Sequence, residues 1–209
     1  PESLLPIARR HLVAEDDELV LSSALNAISL LSGYVAESNY SEFTKIRSEF
    51  FEKAFLDVST PGQEKTQEVV LNWFESWVRC SVSGQSMDLF AQLLRGEEKT
   101  YRGVVLDQPL RWQMLRTLSQ NGHEQRHELL EKEKSRDPSD AGRSEAFCVS
   151  ALDPDPESKE QCWNHLLKNP DGMSVAKLEY LMSGFFPRSQ SASRRDDRVA
   201  HRWAHRSEP

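Results

Sequence analysis

The sequence predicts an all-α fold of stacked antiparallel helical hairpins, a HEAT-like α-superhelix. Three observations predict it. Apolar residues recur at helical spacing along nearly the whole chain, and alternation of strand type over five or more residues scarcely occurs. Helix starts carry chemical punctuation, with Asp107, Asp137 and Asp155 placed just ahead of Pro109, Pro138 and Pro156. An Asp side chain accepts the orphan amide bonds of a first turn, and proline there loses no hydrogen bond. Finally, the steps from Pro138 to Pro156 to Ser174 are 18 residues each, the length of a short helix plus a connection. Short links between antiparallel helices are those of an α-solenoid.

Five helices are expected first, over about residues 2–14, 18–35, 39–57, 63–83 and 86–95, with Gly33, Pro61-Gly62, Gly84 and Gly96 at their ends. The second contains the longest uncharged run, Leu19 to Ala36, in which Leu21, Leu25, Ile28 and Leu31 keep helical spacing. Ser22, Ser23, Asn26, Ser29 and Ser32 interrupt it, so it reads as a buried helix and not as a membrane span. Phe43, Ile46, Phe50, Phe51, Ala54 and Phe55 form an apolar stripe on the third helix, and Trp73, Phe74, Trp77 and Val78 one on the fourth. Such stripes are core.

The stretch 96–105 reads as an irregular connection. Asp107 then caps a helix that ends at Asn121-Gly122. A charged surface helix follows, with seven of the twelve residues from His123 to Lys134 being Asp, Glu, Lys or Arg. Helices opened by Asp137-Pro138, Asp155-Pro156 and Ser174 complete the pattern. From Arg188 the chain turns polar and Arg-rich. Residues 188–209 carry a balance of +3 and the remainder −10, so the domain is expected over 1–187 and a disordered tail over 188–209.

A net charge of −7 argues against a general nucleic-acid binder. Cys80, Cys148 and Cys162 are odd in number and form no C-x-x-C, which argues against a disulfide framework or a zinc ribbon. They read as small buried residues in a reducing, cytoplasmic compartment. The chain has no initiator Met and shows no signal peptide, and a fragment or processed product is the expectation. No G-x-S-x-G elbow and no glycine-rich phosphate loop occurs.

Several runs share a known pattern. Leu106 to Gly122 reads LDQPLRWQMLRTLSQNG, Arg136 to Gly142 reads RDPSDAG, Lys159 and Trp163 form a K-x-x-x-W pair, and Tyr34, Glu37 and Tyr40 form Y-x-x-E-x-x-Y with Phe43 behind. In this order and near this spacing they resemble the C-terminal helical domain of zinc aminopeptidases of the aminopeptidase N family, bacterial type most closely. The resemblance covers about residues 1 to 187. It implies a non-catalytic domain that caps the catalytic domain of its parent enzyme and limits peptide access to it. The parent's zinc would lie in that catalytic domain and none in this chain, which alone would be inactive. The expected partners are the catalytic domain and a peptide substrate, with no nucleic acid and no membrane. Within the L-R-W run, Arg111 is expected to reach the concave face while Trp112 anchors the helix.

His123, Glu124 and His127 match H-E-x-x-H, in which two His one helical turn apart share a metal and the Glu acts on its bound water. The charged flanks argue against a buried catalytic helix. The resemblance requires a third ligand at position 146, which is Ala146, and Glu145 is one residue short, rotated by about 100° on a helix. The G-x-M-E-N motif of the family is absent. No catalytic, cofactor or metal residue is therefore assigned. Two other readings stay open: a HEAT-like adaptor that binds a protein partner, and a stand-alone zincin using His123, Glu124 and His127.

Overall fold

In the computed structural model, residues 4–96, 98–168, 175–185 and 187–190 are described. They fold as α-helices α1 (Leu4–Leu12), α2 (Glu18–Leu30), α3 (Glu37–Val58), α4 (Gln67–Cys80), α5 (Gly84–Arg95), α6 (Gln108–Gln120), α7 (Arg126–Arg136), α8 (Asp140–Leu152), α9 (Pro156–Lys168) and α10 (Val175–Met182). Strands β1 (Thr100–Tyr101) and β2 (Val104–Val105) lie between α5 and α6. The fold is all-α, as the periodicity predicts. The chain forms two compact units, one through Thr117 and one from Leu118 onward, with the boundary inside α6.

The helix ends differ from expectation where side chains intervene. α2 stops at Leu30 and continues as a 3-10 turn, Leu31–Tyr34, a common way for a last turn to tighten. α4 begins at Gln67, four residues later than the pattern suggested, because the Thr66 hydroxyl accepts the Val69 N–H at 3.2 Å. It ends at Cys80, and the Ser81 hydroxyl then donates to the Trp77 carbonyl at 2.8 Å. Gly84 opens α5 and does not end α4, since Ser83 supplies the N-cap. The expected irregular stretch contains a β-hairpin, Thr100 opposite Val105 and Tyr101 opposite Val104. Its two-residue loop, Arg102-Gly103, has φ of 48° and 85°, the primed geometry that matches strand twist.

In the first unit α3 and α4 pack together, α2 lies on α4 and α1 on α3. The two aromatic stripes meet there. Phe55 stacks on Trp77 at 5.3 Å, Trp77 meets Phe90 of α5 edge-on at 5.2 Å, and Tyr101 of the hairpin lies 5.8 Å from Phe74. Trp73 and Trp77 are fully buried, and of the predicted stripe residues only Ile46 is left half-buried. Arg47 is buried as well. It donates to the Ser29 carbonyl of α2 and lies 5.9 Å over the Phe43 ring.

In the second unit α8 is central, with α7, α9 and α10 packed on it. Cys148, Ala151, Cys162, Leu166, Leu181 and Phe185 form its core. All three cysteines of the chain are buried free thiols. Of the expected caps, Asp107 accepts the Leu110 N–H at 3.0 Å and Asp155 the Ser158 N–H at 2.9 Å. At α8 the cap is Ser139 and not Asp137. Ser174 lies outside the described residues, as does the tail beyond Gln190. Arg188–Gln190, the first residues assigned to that tail, form a 3-10 turn.

Trp77 touches the rings of Phe55 in α3, Phe90 in α5 and Phe74 of its own helix, so its removal leaves a cavity that rigid neighbours cannot close. Trp77→Ala is expected to cost about 3–5 kcal/mol. Urea denaturation followed by circular dichroism measures it, and a loss below about 1 kcal/mol, the size of an ordinary substitution, would refute the assignment.

Candidate functional site

The H-E-x-x-H run does not lie on one helix. Leu118 O accepts the His123 N–H and Ser119 O accepts the Gly122 N–H, each at 3.0 Å, and Gly122 has φ +67°. This paired pattern is the Schellman motif that closes α6, with Gly122 in the left-handed position. His123 is therefore the last residue of that motif, and its Nδ1 accepts the Gln125 N–H at 3.3 Å. Helix resumes only at Arg126, three residues later than the charge pattern suggested. Of the three motif residues His127 alone is helical, and the shared face that a zinc helix requires is not formed.

The chemistry of the donors agrees. His127 Nε2 lies 2.6 Å from Asp153 Oδ2, so the nitrogen that would face a metal faces a carboxylate. Glu145 accepts the Tyr180 hydroxyl. Ala146, at the third-ligand position, is buried. Among the described residues no three His, Cys, Asp or Glu side chains converge as a ligand set. These residues do not fit a zinc site.

What the run does build is a clamp around Asp153. Its side chain is only 2% exposed and takes Arg126 Nε at 2.7 Å, Arg126 Nη2 at 3.2 Å, His127 Nε2 and the Asp155 N–H at 2.9 Å. Burial pushes the carboxyl pKa up, but the bonds from Arg126, from the Asp155 amide and from His127 outweigh it. The net effect holds Asp153 below its ordinary value of 3.8.

The other motif runs also hold helices together. In Arg136 to Gly142, the Asp137 carboxylate accepts the Ser139 hydroxyl at 2.6 Å and the Ser139 hydroxyl accepts the Gly142 N–H at 3.0 Å. A Cβ on Gly142 would meet the Asp137 carbonyl oxygen at 2.2 Å, so the corner closes only over glycine. Lys159 donates to Ala151 O at 2.7 Å and Phe185 O at 3.2 Å, and Trp163, one turn on, meets the Phe185 ring edge-on at 5.9 Å. Arg111, expected on a concave face, is buried instead. It is 4% exposed and donates to Leu94 O at the end of α5, at 2.8 Å, beside the buried Trp112. Glu37 opens α3, Tyr40 is half-buried, and Phe43 is core.

Two surface features remain. α2 buries Leu21, Leu25 and Ile28 but exposes Leu19, Ser23, Ala27, Leu30 and, in the following turn, Tyr34. Leu19 is 79%, Leu30 69% and Tyr34 88% exposed, on a face without charge. The second unit has a groove of about 620 Å³ between α7 and α9, floored by Gly142, Ala146 and Ser150 of α8. Sequence reasoning missed Asp153, Ser119 and Gln190. The doubled Asp-Pro of Asp153 to Pro156 carries a signal, since either Asp can cap a turn.

Among the described residues, the motif side chains tie helices together. The model of the ERAP1-like C-terminal domain matches residues 1–203, and the chain belongs to that family. It is thus a helical C-terminal domain of the aminopeptidase kind, and the match reaches into the Arg-rich stretch. No curated protein matches the chain. None of the described helices is long and apolar enough to cross a membrane.

Removing the Asp153 charge is expected to remove its pH dependence. With a folded pKa below 3.8, Asp153 contributes stability that is full at neutral pH and is lost as pH falls past 3.8 through its folded value. Asp153→Asn should flatten thermal stability over that acid range, measured by circular dichroism at stepped pH. An unchanged profile would show that the clamp contributes nothing. At the α8 corner, Gly142→Ala should cost about 2–3 kcal/mol from overpacking, more than the roughly 1 kcal/mol lost with the Ser139→Ala cap. Equal losses in denaturant titrations would contradict the close approach.

Proposed function

We propose that this chain is the non-catalytic cap of a zinc aminopeptidase that removes N-terminal residues from peptides. In this reading it packs against the catalytic domain, which holds the zinc, encloses the active-site cavity and limits which peptides enter. The L-D-x-x-L-R-W run favours the bacterial type, and the three buried thiols favour a reducing, cytoplasmic setting. The observation that carries the packing role is the exposed face of α2. Its leucines and Tyr34 flank the small residues Ser23 and Ala27, a surface suited to close approach by another apolar element and costly to leave in water.

Two measurements test this. The purified chain is expected to hold no stoichiometric zinc and to release no arylamine from amino-acid arylamides. One tightly bound zinc per chain, with cleavage abolished in Glu124→Gln, would overturn the cap reading in favour of a zincin. Secondly, Leu30→Glu is expected to weaken binding to the catalytic domain of the parent aminopeptidase by about tenfold or more, in the range of an interface hot spot. Because Leu30 is exposed, the circular dichroism spectrum should not change. Undiminished affinity in a titration calorimeter would remove α2 from the contact.

A further inference from the structure

We draw no further inference here: the strongest candidate, the groove of about 620 Å³ between α7 and α9 over the Gly142, Ala146 and Ser150 face of α8, has its rim cations Lys134 and Arg143 already paired with Glu131 and Asp140 of their own helices, and nothing in the structure shows what would cover its apolar floor.

Discussion

The C-terminus of α8 governs the second unit. A helix end presents carbonyls with no partner in the helix, and burying them unpaired is costly. Here Ser150 O accepts the Asp153 N–H at 3.2 Å, and the other three last carbonyls each meet a side chain from a different element. Ser119 at the end of α6 donates to Val149 O at 2.6 Å, Lys159 of α9 to Ala151 O, and Gln190 of the final turn to Leu152 O at 2.7 Å. The next residue, Asp153, takes the two α7 side chains Arg126 and His127. Five side chains from four elements thus converge on four of the five residues from Val149 to Asp153. Lys159 also reaches Phe185 O, which ties the segment after α10 to the same point. Apolar contacts among Cys148, Cys162 and Leu181 supply area, but they are non-directional. The polar set fixes how each helix approaches α8.

The first unit relies on a different balance. Its core is a contiguous set of rings from α3, α4, α5 and the hairpin, and shape carries much of the specificity. Directional bonds still appear where α6 meets the rest of that unit. Arg111 closes the end of α5, Gln113 donates to Glu75 O at 2.9 Å and Thr117 to Val78 O at 2.9 Å. Arg111 is 4% exposed, and a buried guanidinium is costly unless hydrogen-bonded, as it is here to Leu94 O. Hence the L-R-W run demands an Arg where a purely apolar helix face would tolerate many residues.

Helix existence was legible because it depends on local periodicity. The stripes from Phe43 to Phe55 and Trp73 to Val78 needed no knowledge of their partners, since a side chain buried on one face shows in the spacing. Boundaries were less legible because caps are decided by single hydroxyls. Thr66 and Ser139 outrank the Pro-Gly and Asp-Pro signals beside them. The hairpin escaped notice because its strands are two residues long and its stability comes from Tyr101 packing on Phe55 and Phe74. The role of Asp153 was illegible, since its partners lie 26 and 27 residues away.

The H-E-x-x-H run shows how one string of residues can satisfy two unrelated demands. A zinc helix requires both His on one face, with apolar flanks that exclude water. Here Gly122 closes one helix just before the first His and the next begins only at Arg126, which takes His123 off that face. The second His is then used as a donor to a buried carboxylate already held by Arg126, and such a pair stabilises structure without a reacting atom nearby. The same logic applies to the other motif runs. Their polar residues meet carbonyls and caps inside each unit, while the α2 face, with Leu19, Leu30 and Tyr34, stays exposed and uncharged.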